Sequence, residues 1–165
     1  HSEPVGGQFS AVMKSEDAIN DRSPWNMARI KGEDILLITK RYSQMRENLR
    51  WYIEREAEHS SNVLEPMMRP VFFQYDGAYP EVYDQYFLGR SLMIAPILDE
   101  GVQRRSVTLP KGSWHDAWMN RTVEGPCVVE RTYPLQSIGV FIDCEDGEFE
   151  RLKAVFSTLV EQSDA

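Results

Sequence analysis

The chain has 165 residues, 42% of them hydrophobic and 27% charged, the composition of a folded domain with a real core rather than of a disordered segment. With 26 acidic against 18 basic residues the formal charge is -8, which repels phosphate and excludes nucleic acid and anionic membrane surfaces as first partners. No run approaches the ~20 apolar residues of a membrane span. Cys127, Cys144, His1, His59 and His115 are scattered without ligand spacing, so no disulfide framework, metal or cofactor is expected.

Residues 1–29 hold Gly6-Gly7, Pro4 and Pro24 and show no sustained period. A short helix at Ser15–Asn20, capped by Ser15, is the only local element expected there. No basic segment followed by an apolar one opens the chain, so a cytoplasmic location is the expectation. Ile35, Ile38, Tyr42, Met45, Leu49 and Tyr52 then recur at steps of three and four, which predicts one amphipathic helix from about Asp34 to Ala57. His59-Ser60-Ser61-Asn62 reads as the loop that ends it. The apolar stripe needs a surface to lie on, and an exposed stripe of this kind would favour a homodimer.

From Val63 the pattern becomes strand-like. Met67 to Tyr75, broken by Pro66 and Pro70, predicts an edge strand or two short pieces, and Asp76-Gly77 a turn. Ser91–Leu98 reads as a buried strand. Arg105–Leu109 alternates, Pro110-Lys111-Gly112-Ser113 reads as a tight turn, and Trp114–Trp118, Cys127–Val129 and Ile138–Ile142 follow as strands. The expected core is Phe72, Ile94, Leu109, Trp114, Trp118, Val140 and Phe141. Phe149, Leu152, Val155, Phe156, Leu159 and Val160 stand at helical spacing, which predicts a C-terminal amphipathic helix.

Several segments together resemble glycoside hydrolase family 31, the α-glucosidases and α-xylosidases. They are Ser23-Pro24-Trp25, Arg41-Tyr42, Pro66-Met67-Met68-Arg69-Pro70-Val71-Phe72-Phe73, Asp84-Gln85-Tyr86-Phe87-Leu88-Gly89, Leu92–Leu98, Leu109–Trp118, Pro134-Leu135 and Val140-Phe141. The resemblance implies an α+β fragment. Residues 1–62 would be the last loop and long helix of a (β/α)8 barrel, 63–145 an antiparallel β-sandwich, and 146–165 a C-terminal helical tail. A whole barrel of ~250 residues does not fit in this length. Beyond Phe141 the chain departs from many members, which continue into a further β domain, and Met45-Arg46-Glu47-Asn48-Leu49 replaces the apolar stretch usual in the family's helix.

Members of that family are retaining glycosidases or related lyases acting on α-linked oligosaccharides or glycosides. They use two aspartates, one attacking the anomeric carbon and one protonating the leaving oxygen, and retaining geometry sets the carboxyls ~5–5.5 Å apart. Neither aspartate motif is found in this sequence, so no catalytic residue is assigned and the Asp and Glu residues read as solvated charge. The resemblance implies one substrate-binding residue, His1, at the place of a histidine that bonds the sugar in the first subsite; Glu3 lies beside it. Trp114 and Trp118 read as core rather than as a sugar-stacking platform. Arg69 reads as the partner of a carboxylate, and the glycosylation sequon Asn120-Arg121-Thr122 as chance. Two other readings stay open: a free-standing carbohydrate-binding β-sandwich, and a structural domain without a ligand.

Overall fold

The computed structural model describes residues 23–32, 34–134 and 136–161. The expected helix at Ser15–Asn20, together with His1 and Glu3, lies outside them. The described residues fall into two compact units that divide between Arg46 and Glu47.

In the first unit a helix that the composition did not suggest, α1, covers Pro24–Lys31. Ser23 precedes it in an extended conformation and Pro24 opens it, where the missing proline N–H costs nothing. Helix α2, Asp34–Asn48, follows. Its stripe residues Ile35, Ile38, Tyr42 and Met45 are half-buried, and on its other side Leu36 and Leu37 are exposed.

The expected single helix is two. Leu49 leaves helical geometry at φ -88°, ψ 0°, and helix α3 runs from Arg50 to Val63. The polar run His59–Asn62 is therefore helical and not a loop; the stop is Leu64, left-handed at φ 58°. Nor is the stripe one open face. Leu49 and Tyr52 are buried, and the Tyr52 hydroxyl donates to the Leu88 carbonyl at 2.7 Å and accepts from the Ser91 amide at 3.1 Å. The end of the stripe at Leu49 and Tyr52 is therefore buried, and the stripe is not open along its whole length.

The second unit is built on a six-stranded antiparallel sheet ordered β1-β2-β3-β6-β4-β5. The strands are β1 Met68–Pro70, β2 Tyr86–Leu88, β3 Leu92–Ala95, β4 Arg104–Asp116, β5 Arg121–Thr132 and β6 Gly139–Asp143. β1 is an edge, the place in a sheet where a residue such as its Pro70 is tolerated. After Pro70 the chain turns into a single helical turn, α4, Val71–Gln74. This places Val71 inside and leaves Phe72 exposed, a correction to the expected core. The Asp76-Gly77 turn forms, with both residues at positive φ.

Register explains the layering. Phe87, Met93 and Phe141 lie side by side across β2, β3 and β6. They share one buried cluster with Val71, Val82, Ala95, Val107, Leu109 and Trp114. Leu92, Ile94, Val140 and Ile142 alternate onto the opposite face and are buried too. On that face His115, paired with Ile142, meets Phe149 of the C-terminal helix α5, Phe149–Glu161, edge to face at 5.6 Å. Leu152 and Phe156 of α5 are buried, in keeping with its expected apolar stripe.

Pro110-Lys111-Gly112-Ser113 is not a turn between strands. β4 is continuous, and its register against β5 shifts between Leu109 and Gly112, a bulge that bends the ribbon. Gly125 faces it, so close that a Cβ would meet the Pro110 carbonyl oxygen at 1.8 Å. The bend is large. Asp116 pairs in register with Arg121, ten residues or about 33 Å of extended strand from Arg131, yet the Arg131 guanidinium hydrogen-bonds Asp116. The far half of the ribbon therefore folds back over the first layer, with Val107 and Leu109 inward. The Gln85 amide bonds both backbone groups of Thr108, at 2.9 and 2.8 Å, and so pairs part of the ribbon edge that β6 leaves open. Because β4 ends at Asp116, Trp118 lies in the following turn and is half-buried, not on the Trp114 face; its indole N–H donates to the Ile138 carbonyl.

Candidate functional site

The densest polar chemistry in the second unit lies between α3, the β2–β3 turn and the start of α5. Glu56 follows Tyr52 by one helical turn and is 1% exposed. Arg90 holds its carboxylate with three bonds. The backbone N–H and Nε donate to Oε2 at 2.9 and 3.0 Å, and Nη2 donates to Oε1 at 3.0 Å. Arg55 adds Nε to Oε1 at 2.9 Å and turns its other edge to Asp146, with Nη2 to Oδ2 at 2.9 Å. Asp146 also accepts from the Ser91 hydroxyl and from the Glu148 amide at 2.7 Å, which caps the entry to α5.

Local sequence makes this possible. Gly89 sits at φ 66°, and a Cβ there would meet both Glu56 Cγ and the Tyr52 hydroxyl at 2.5 Å; only glycine lets the turn approach α3 this closely. Arg55 lies over the ring of Tyr52 on its own helix at 4.9 Å, and Arg151 of α5 lies over Trp51 at 3.8 Å, a cation that ties α5 to α3.

The electrostatics decide what the cluster can do. Burial alone would raise the Glu56 carboxyl, but the hydrogen bonds and charge of Arg90, with Arg55, hold it below the usual range. Asp146 is likewise lowered: burial opposes, while bonds from Arg55 and Ser91 prevail. Both stay ionised near neutrality and have their lone pairs occupied. A glycosidase needs one carboxyl kept protonated as the acid, and neither of these qualifies. Asp143 is shifted upward, by burial first, but accepts from the Glu145 amide within its own turn. The cluster is a clamp that fixes α3 and α5 to the sheet. Burial pushes the Tyr52 hydroxyl up to about 12, so it remains a neutral donor to Leu88.

Of the residues singled out from sequence, Arg69 is buried and pairs with a carboxylate, Glu65, at 3.1 Å. Trp114 is 2% exposed with its indole N–H on the Pro110 carbonyl at 2.9 Å; it offers no ring face to a sugar. Asn120 is exposed in the β4–β5 turn. Among the described residues no three His, Cys, Asp or Glu side chains group as metal ligands, and no helix is long and apolar enough to cross a membrane. Glu56 was missed. The signal was its position: steps of three and four from Leu49 through Tyr52 lead to it, a carboxylate on an apolar stripe.

Residues 64–145 match the glycosyl hydrolase family 31 C-terminal domain. The chain belongs to glycoside hydrolase family 31. What it carries of the family is that domain and the segments flanking it. It is 33% identical over 158 residues to a 1,3-alpha-isomaltosidase of Kribbella flavida, which covers 93% of this chain and 21% of that protein. It is 29% identical over 140 residues to alpha-glucosidase 2 of Bacillus thermoamyloliquefaciens, 82% of this chain and 17% of that one. Among solved structures, a family 31 alpha-xylosidase from a soil metagenome complexed with xylose superposes with a TM-score of 0.71 at 31% identity, covering 79% of this chain and 19% of that one. A cycloalternan-degrading enzyme from Trueperella pyogenes in complex with cycloalternan gives 0.73 at 29% identity, 81% and 19%. The family 31 chain thus spans about a fifth of the length of these relatives.

Proposed function

We propose that these residues are the C-terminal portion of a retaining α-glycosidase that hydrolyses O-glycosyl bonds of α-linked oligosaccharides or glycosides, and that this portion is structural and catalytically silent. Residues 1–62 would close the barrel, 63–145 form the sandwich and 146–165 its helical tail; the parent would act in the cytoplasm. The observation that carries the reading is the family match over 64–145 beside buried carboxylates that arginines hold ionised. Within it His1 is the residue that would reach the sugar. The alternative of a free-standing carbohydrate-binding module loses support from the burial of Trp114.

The test is covalent labelling of the full-length parent with a mechanism-based α-glycosidase inactivator, followed by peptide mapping. A retaining enzyme is trapped as its glycosyl ester. The label is expected on a carboxylate upstream of residue 1; a label on any Asp or Glu of these 165 residues would refute the assignment. A dimer through α2 is part of the proposal in reduced form, since only Ile35, Ile38, Tyr42 and Met45 of the stripe remain for it. Sedimentation of the wild type beside Ile38→Glu tests it: a monomer in both would end it.

A further inference from the structure

Helix α5 packs along β6 with Leu152 and Phe156 buried. At its first turn the Phe149 ring meets two basic groups. The His115 imidazole of β4 lies edge to face with it at 5.6 Å, and the Lys153 ammonium of α5 lies 5.9 Å from the same ring centre. His115 is 4% exposed. Its strand partners, Ile142 of β6 and Thr122 of β5, carry no charge. The charged groups around it are Lys153 and Glu150 of α5 and its neighbour Asp116. Asp116 is already engaged: one oxygen accepts from Arg131 and the other from the amides of Trp118 and Met119. Glu150 is exposed. Just before the helix, Asp146 accepts from Arg55 of α3 at 2.9 Å and from the Glu148 amide at 2.7 Å.

At neutral pH the His115 ring is neutral and packs against Phe149 as an apolar surface. A proton would place a positive charge in a covered position beside Lys153, and a buried charge is costly. Undocking α5 returns the imidazole to water. Burial first, then Lys153, make the docked His115 the poorer proton acceptor and the undocked one the better. As pH falls through about 6.5 the undocked form takes up the proton and gains population. The Asp146 carboxyl is held below its usual range, so its bonds to Arg55 survive that window and tether the entry of the helix. Once off the sheet, a helix of 13 residues is too short to keep its structure in water. We infer that α5 is an acid-released latch, in which protonation of His115 lifts the helix off β6 and uncovers that face of the sheet while the strands stay paired.

Hydrogen exchange of the 165-residue chain, read by mass spectrometry at about pH 7.5 and about pH 5.5 and corrected for intrinsic rates, tests this. One proton sets the ceiling: the opening constant of residues 149–161 should rise several-fold, and by no more than about tenfold. Residues 92–95 and 139–143 should keep their protection. His115→Gln, neutral at both pH values, should abolish the rise. An unchanged α5, a rise that persists in His115→Gln, or loss of protection across the whole second unit at once would overturn the inference. The wild type gives a second reading that needs no variant. The His115 ring protons, followed by NMR, should titrate with a midpoint below about 6.5; a midpoint at or above that value would show the docked site to accept the cation and would also overturn it.

Discussion

Replacing Glu56 by alanine is the sharpest perturbation of the clamp. Three donors of Arg90 and one of Arg55 lose their acceptor. Breaking a fully buried pair costs about 3–5 kcal/mol. Here the two arginine side chains are 43% and 29% exposed, so their guanidiniums rehydrate in part and the full figure is not reached. The Arg90 backbone N–H, aimed at α3, is left without its acceptor, a loss of about 1–3 kcal/mol. Together with the space left by the carboxylate, about 2–4 kcal/mol is expected. For a chain of this size that lowers the melting temperature by about 5–15 °C. Circular dichroism melts of the wild type, Glu56→Ala and Glu130→Ala at one pH and salt make the comparison. Glu130 pairs with Arg104 on the open surface and its removal should leave the midpoint in place. If Glu56→Ala melts within about 2 °C of the wild type, the cluster is solvated charge and the clamp is wrong.

Gly89→Ala should destabilise at least as strongly, because the added Cβ meets Glu56 and Tyr52 and the residue stands at positive φ; urea unfolding beside Gly77→Ala, where a Cβ meets nothing, separates steric conflict from backbone strain. His115 gives a pH signature. Burial first, then Lys153, lower its pKa, against Asp116 and Glu150 which raise it, so the unfolded chain binds the proton more readily. Its stability contribution is complete above the unfolded pKa of about 6.5 and is lost as pH falls from there toward the depressed folded value; His115→Gln should flatten that part of the stability profile, and an unaltered slope would remove His115 as the cause. Trp114→Ala should cost about 3–5 kcal/mol in denaturant melts, while Phe72→Ala, on an exposed ring, should cost far less; equal losses would contradict the placement of Val71 rather than Phe72 in the core.

Much of the fold was legible in residue order. Leu92–Ala95 is apolar at every position because it is buried on both faces, and such a run reads as an inner strand. The C-terminal helix was legible from spacing alone. Other features were hidden for physical reasons. The break at Leu49 is one residue whose φ of -88° stays near helical while its ψ of 0° does not, so the period of three and four runs through it, and one helix and two helices write the same pattern. Pro110-Lys111-Gly112-Ser113 has turn composition, but a bulge and a turn both need residues that leave the ladder; only the distant Gly125, which admits the Pro110 carbonyl, selects the bulge. β2 spans three residues, too short for alternation to show. The clamp was the least legible. Its members, Glu56, Arg90 and Asp146, are far apart in sequence, and a charged residue declares itself buried only when its partners are in place.

We propose, as the centre of this account, that this family 31 chain supports an active site it does not itself contain. Incubation of the purified 165-residue chain with aryl α-glucoside and aryl α-xyloside, with release of the chromophore followed over hours, tests it most directly. No release above buffer is expected, since Glu56 and Asp146 are ionised and bound by arginine. Turnover that co-purifies with the folded chain and is abolished by Glu56→Gln or Asp146→Asn would contradict the claim and turn the clamp into a catalytic site.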